Sequence, residues 1–241
     1  MHRKEFLTKT LGLVATLPFV SSCDTPEPTD ETEVVTSTGT TNGSSAQNCV
    51  TTPTETVGPF PNQQPNSLVR TLIQGDRVGI PLTIQLSIKN LTTGCQPLAN
   101  VLVDIWHCDA EGEYSQYGGT GMQAANWQNA NWLRGRQTTD AAGNVEYKSI
   151  FPGWYPGRAP HIHVQIYNAA GATLLVTQVA FPQSVCDLVY TTAKDYVANG
   201  KQDTTNARDN VFSDGHDLEL ATITGSLTEG FILQHTIVAR G

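Results

Sequence analysis

The octet Leu82-Thr-Ile-Gln-Leu-Ser-Ile-Lys89 narrows the possible folds most. Apolar and polar residues alternate strictly, so an extended chain puts Leu82, Ile84, Leu86 and Ile88 on one face. A helix would scatter the same residues around its axis. Val101, Val103 and Ile105 alternate next, leaving Asp104 and Trp106 on the other face. Further strands are expected at 145–151, 161–167, 174–181 and 231–239, with turns at Thr92-Thr93-Gly94 and Asp140-Ala-Ala-Gly143. Only 186–198 carries a weak helical pattern. The expectation is an all-β protein, an antiparallel β-sandwich with long loops and little helix. A composition with 21 Gly, 13 Pro and 15% charged residues is unlike a helical bundle. With 22 acidic against 14 basic residues the net charge is -8, which argues against a nucleic-acid partner needing a basic stripe.

The N-terminus has a different character. Arg3 and Lys4 precede an apolar run from Leu11 to Val20, too short to span a bilayer as a helix. Ser21-Ser22 and then Cys23 follow. Basic, apolar, small is the order of a secretory signal, expected at 1–22. The end of this segment resembles a bacterial lipobox with Cys23 as the lipid attachment site. An ordinary cleaved signal, with Cys23 incidental, is the alternative. Residues 24–48 hold five acids, seven Thr, no basic and no aromatic residue, which reads as a flexible acidic tether. Residues 49–241 then form the domain. Export permits disulfides, and with Cys23 lipidated the remaining Cys49, Cys95, Cys108 and Cys186 allow three full pairings. These features imply an exported bacterial lipoprotein held in the cell envelope by its lipid anchor, monomeric or homodimeric.

Candidate chemistry lies between Asp104 and Gln178. On a strand, His161 and His163 point the same way and are close enough to share a metal. Alone, such a pair is a weak signal. Pro152-Gly-Trp-Tyr155-Pro-Gly-Arg158 precedes it as a stiff turn that would hold Tyr155 near the strand. Gly112-Glu-Tyr114 puts a second tyrosine on a turn. Two phenols and two imidazoles suit ferric iron better than a thiolate-seeking metal. The bland alternative is that both tyrosines are rim aromatics.

Three stretches, Val103-Asp-Ile-Trp-His-Cys-Asp-Ala-Glu-Gly-Glu-Tyr-Ser115, Leu133-Arg-Gly-Arg-Gln-Thr-Thr-Asp140 and Phe151-Pro-Gly-Trp-Tyr-Pro-Gly-Arg-Ala-Pro-His-Ile-His163, resemble the intradiol ring-cleavage dioxygenases. Thr177-Gln178 and 55–60 add weaker support. The resemblance covers 49–241 and is to the exported, stand-alone branch of the family. It implies an Fe(III) cofactor held by Tyr114, Tyr155, His161 and His163. Tyr155 would be the axial tyrosinate displaced by substrate, with His161 opposite it. It implies a catechol and O2 as substrates, and ring cleavage between the two hydroxyls to a muconate-type dicarboxylic acid. Arg158 matches the family arginine that stabilises charge on the activated ring, and Gln178 a polar residue near the oxygen pocket. Trp106 and Trp154 are candidate pocket walls. Only Pro156 and Gly157 separate Tyr155 from Arg158, a shorter connection than in better-known members, which puts substrate identity in doubt.

Other candidates are weaker. His107 is expected to be structural, His216 solvated and His235 a sheet histidine. Asp214, Asp217 and Glu219 fit no calcium loop closely. Two readings of other classes remain open. One is an inactive sandwich module binding aromatic or carbohydrate ligands at the cell surface. The other is a zinc hydrolase, for which no accompanying base carboxylate is visible.

Overall fold

A computed structural model describes residues 49–241 and the backbone of residues 35–37. The expected signal segment, Cys23 and the rest of the tether lie outside the described residues. Twelve strands and one helix appear among them, in the chain order β1 (Val35–Ser37), β2 (Pro81–Asn90), β3 (Gln96–Pro97), β4 (Leu102–Trp106), β5 (Gly118–Thr120), β6 (Gln123–Asn126), β7 (Arg134–Thr138), β8 (Asn144–Ile150), β9 (His161–Tyr167), β10 (Thr173–Ala180), α1 (Gln183–Thr192), β11 (Thr222–Ser226) and β12 (Gly230–Ala239). One sheet runs β1-β11-β12-β2-β3, with β8 also paired to β2. The second runs β10-β9-β4-β7, and β5 and β6 form a separate hairpin.

The two sheets make the sandwich by burying their alternating faces against each other. Leu82, Ile84, Leu86 and Ile88 of β2 join Val103 and Ile105 of β4, Ile162, Val164 and Ile166 of β9, and Leu233 and Ile237 of β12 in one core cluster. Each such side chain contributes about 1.5–3 kcal/mol on leaving water.

Four details differ from the sequence expectation. β12 pairs with β2 in parallel, from Phe231 opposite Leu82 to Ala239 opposite Asn90. Parallel neighbours need a long connection, and nearly the whole domain separates these two strands. α1 starts at Gln183 and stops at Thr192, because Ala193 turns extended with φ -76 and ψ 124. Strand β7 was not expected, since Arg-Gly-Arg-Gln-Thr shows no apolar alternation. The cysteines form one bridge rather than two: Cys49 joins Cys95, while Cys108 and Cys186 are free and buried. The free thiols sit in different clusters, Cys186 in the main core and Cys108 beside Phe60, Trp106 and Tyr114.

Strand register positions the site. Across the second sheet Arg134 stands opposite Trp106, Trp106 opposite His163, and His163 opposite Gln178. Directly paired residues share a face. These four side chains therefore form one row on the face turned away from the main core.

Candidate metal centre

His161 and His163 project from the outward face of β9 because Ile162 and Val164 are committed to the core. His161 has its Nδ1 2.6 Å from the Ala159 carbonyl, so Nδ1 carries the proton and Nε2 presents a lone pair. That Nε2 is 3.1 Å from His163 Nε2. The His163 ring stacks on Trp106, with centroids 4.9 Å apart and planes 5° from parallel. Behind it Gly58 adopts φ +69, and a Cβ there would meet His163 Cε1 at 2.8 Å. Glycine is thus required both for its conformation and for the close approach.

The tyrosines arrive on loops. Gly112, at φ +88, lets the 107–117 loop pass the Trp154 carbonyl, where any Cβ would collide. Gln123 then holds Tyr114 at both backbone groups, accepting from its N–H at 2.7 Å and donating to its carbonyl at 2.8 Å. The Tyr114 hydroxyl is buried and has no hydrogen-bond partner. Tyr155 comes from the Pro-Gly turn before β9, and its hydroxyl is 3.4 Å from His161 Nε2. The Tyr114 and Tyr155 rings meet edge to face at 5.7 Å.

Burial pushes His161 down to about 3, helped by Arg158, and pushes His163 well below the ordinary imidazole value. Both rings are therefore neutral, the form that ligates metals. Burial also raises Tyr114, with Tyr155 adding to it, and raises Tyr155 to about 12. A bound cation reverses that preference and holds phenols as phenolates. Two facing imidazole nitrogens, a phenol beside them and an orphaned buried phenol hydroxyl fit a cation of the ferric type. Among the described residues no group of three or more His, Cys, Asp or Glu gathers as a metal site. A set that is half tyrosine would not form one.

Arg158 flanks this set. Its Nη1 donates to the Tyr155 hydroxyl at 3.3 Å, and its Nη2 donates to Gln178 Oε1 at 2.6 Å. Its Nε meets both oxygens of Asp209 at 3.0 and 2.9 Å. Asp209 is buried and also accepts from the Ala159 N–H. Gln178 in turn donates to the Thr56 carbonyl, tying the 55–60 segment to the site. Glu55, in that segment, is raised to about 7 by burial and by Asp214, while Arg158 opposes the rise. On the other flank Arg134 is fully buried and grips Ser115 Oγ, the Ser115 carbonyl, the Phe60 carbonyl and Asn62 Oδ1.

The structure thus brings together Tyr114, Tyr155, His161, His163, Arg158, Gln178 and Trp106. Trp154 sits instead against the main core, its indole donating to the Gly200 carbonyl. His107 is structural, bonded to the Cys108 carbonyl and Ser149 Oγ at 2.7 Å each. His216 and His235 are half-buried and belong to other regions. Sequence reasoning missed Asp209, Arg134 and Gly58. Asp209 lies 51 positions from Arg158, and no local signal marks it.

A β-sandwich with two tyrosines and two histidines converging on its outer face defines a class of candidate non-haem metal proteins. The family described as Dioxygenase matches residues 60–221, and the chain belongs to the intradiol ring-cleavage dioxygenases. It is 29% identical over 140 residues to the beta chain of protocatechuate 3,4-dioxygenase from Burkholderia cepacia, covering 53% of this chain and 54% of that protein. The match thus spans about half of that relative's length. Among solved structures, an intradiol ring-cleavage dioxygenase from Tetranychus urticae superposes with TM-score 0.71 and 26% identity, covering 80% of this chain and 95% of that one. The dioxygenase domain of a dioxygenase–carbohydrate-binding fusion from Streptomyces sp. SirexAA-E gives TM-score 0.55 and 26% identity, covering 79% and 99%.

Proposed function

We propose that this chain is a ferric, non-haem dioxygenase that cleaves a catecholic ring between its hydroxyls and yields a muconate-type dicarboxylic acid. The observation that carries the reading is the convergence of His161 Nε2, His163 Nε2 and the Tyr155 hydroxyl, with the buried, unpartnered Tyr114 hydroxyl in the same cluster. Tyr114, Tyr155, His161 and His163 would hold the iron. Ferric iron there would supply the Lewis acidity and redox chemistry for the reaction of a catechol with O2.

The chain's own residues do the rest. Tyr155, its oxygen 3.4 Å from His161 Nε2, would as a metal-held phenolate take a proton from an incoming catechol. Arg158, already donating to that oxygen, keeps a fixed cation beside it, and a fixed charge needs no reorganisation during reaction. Gln178 holds Arg158 by accepting from its Nη2. Trp106 fixes the His163 ring plane by stacking, and Phe60 with Val57 and Tyr117 packs the wall around Tyr114 that excludes water. The basic, apolar, small order of the N-terminal sequence supports export of the domain, with Cys23 as its lipid anchor.

The test is to load the purified domain with ferric iron and record its visible spectrum before and after adding catechol without O2. The expected result is a tyrosinate-to-iron band that shifts with catechol, followed by O2 uptake and a ring-cleaved diacid when O2 is admitted. A colourless protein carrying stoichiometric iron sinks the ligand assignment. An inactive aromatic-binding module would instead bind catechol and consume no O2.

A further inference from the structure

We infer that Arg134 is a positioning residue for Tyr114: a buried cation that ties the 114–117 loop to the wall segment 60–62 and holds a fixed positive charge against the Tyr114 ring. The inference rests on the ligand assignment above.

Arg134 opens β7, in register with Trp106 and through it with His163. It is 0% exposed. Its Nε and Nη2 donate to Ser115 Oγ and the Ser115 carbonyl at 2.9 and 2.7 Å. Its Nη1 donates to the Phe60 carbonyl and Asn62 Oδ1 at 2.9 and 3.0 Å. Ser115 follows Tyr114 directly, and Phe60 stacks on the Tyr114 ring with centroids 4.8 Å apart. One guanidinium therefore grips both the loop that carries Tyr114 and the segment whose ring packs on it. Its Cζ lies over the Tyr114 ring, 5.9 Å from the centroid, and 5.5 Å from that of Tyr117, whose hydroxyl donates to the Pro61 carbonyl.

Two features exceed what packing requires. All four acceptors are neutral, and among the described residues Arg134 has no carboxylate within ion-pair range. Arg136, on the same strand, has Asp104, and Arg158 has Asp209. Burying a charge without a counterion is costly, and an apolar residue of similar volume serves a core as well or better. A cation kept there acts on what faces it, which is the electron-rich face of Tyr114. The second feature is Leu133, immediately before Arg134, at φ +56. This left-handed conformation is unfavourable for so bulky a side chain, and it persists only where surrounding contacts impose it. The Leu133 N–H donates to the Ile73 carbonyl at 2.6 Å, and its carbonyl accepts from the His107 N–H at 3.2 Å. The strained turn sets the point from which Arg134 reaches Ser115 and Phe60.

Two effects follow, and they are separable. The guanidinium fork fixes the Tyr114 loop and hence the strength of iron binding. The charge lowers the energy of the Tyr114 electrons, so a tyrosinate-to-iron transition lies at shorter wavelength than it would without Arg134.

The experiment loads the wild type, Arg134→Lys and Arg134→Met with ferric iron. Iron affinity is read by competition with a chelator, and the visible band is recorded without catechol. Arg134→Met should weaken iron binding about 10–100-fold, the scale of losing a group that orients a ligand, and move the band to longer wavelength. Arg134→Lys keeps the charge and loses the fork, so it should also weaken iron binding while leaving the band near its wild-type position. This variant carries the test where Arg134→Met does not fold. Unchanged iron affinity in a folded variant overturns the positioning role. A band that stays in place in Arg134→Met, or moves in Arg134→Lys, overturns the role of the charge. Failure of both variants to fold leaves Arg134 a purely structural residue and overturns the inference. A wild type that binds iron without a visible band sinks the ligand assignment itself, an outcome seen before any variant is compared.

Discussion

Asp209 does for Arg158 what strand register does for the histidines: it gives a long side chain a single direction. With Nε held by the carboxylate, the two terminal nitrogens are left to Tyr155 and Gln178. Truncating Arg158 to Ala should therefore leave iron binding intact and lower turnover about 10²–10³-fold, the scale of losing one preorganised charge. Iron content and kcat measured on the same preparation check this, and loss of iron would give Arg158 a structural role instead. Gly58→Ala tests the opposite kind of residue, one that matters by what it lacks. A methyl group 2.8 Å from His163 Cε1, at φ +69, should lower stability by about 1–3 kcal/mol and shift the visible band. A melting temperature equal to wild type would show that the His163 ring moves aside freely. At this scale the juxtaposition of His161 and His163 was legible, because a β-strand forces residues two apart onto one face. Asp209, Arg134 and Gly58 were not, since each acts through a contact remote in sequence.

Among the elements, β10 carries an unusual edge. The Glu55 N–H donates to the Val176 carbonyl, and the Glu219 carboxyl accepts from Thr177 Oγ1 on the next residue. Glu219 is fully buried, and its second oxygen has no partner. Burial, reinforced by Glu55, raises Glu219 from its ordinary 4.5 to about 8. The folded state thus holds this proton more tightly than the unfolded chain does. Stability from this group is complete below pH 4.5 and is lost as pH rises toward about 8. The buried histidines act in the other sense, losing stability as pH falls below their ordinary 6.5. Comparing wild type with Glu219→Gln isolates the carboxyl: the variant's melting temperature should fall less between these limits. Parallel profiles would show that Glu219 is ionised throughout. Elements were legible in proportion to how one-sided their burial is. β9 agreed with its expected bounds because apolar residues face the core on one side only. β7 was invisible because buried arginines on its outer face erase the contrast between faces. The parallel pairing of β2 with β12 depends on partners at opposite ends of the domain, which local alternation does not encode.

For the molecule as a whole, the Cys49–Cys95 bridge closes a loop over a sequence separation of 46. Cross-linking a loop of that size stabilises the fold by about 3–4 kcal/mol through the unfolded chain. Replacing both cysteines with alanine should lower the melting temperature accordingly, and reducing agent should do the same to the wild type. A melting temperature indifferent to both would mean that the bridge does not form in solution. The proposed anchor is tested at the same scale: Cys23→Ser should move the protein from the membrane to the soluble fraction of the envelope. An unchanged membrane fraction would remove lipid at Cys23 from the reading. The bridge has a mechanical consequence as well. A pull on the stretch between β1 and Cys49 is carried through the sulfurs to the turn between β2 and β3. Residues 50–60, which include Gly58 and Phe60, lie inside the closed loop and are relieved of that load. The wall of the site is thus insulated from tension arriving along the stretch between β1 and Cys49.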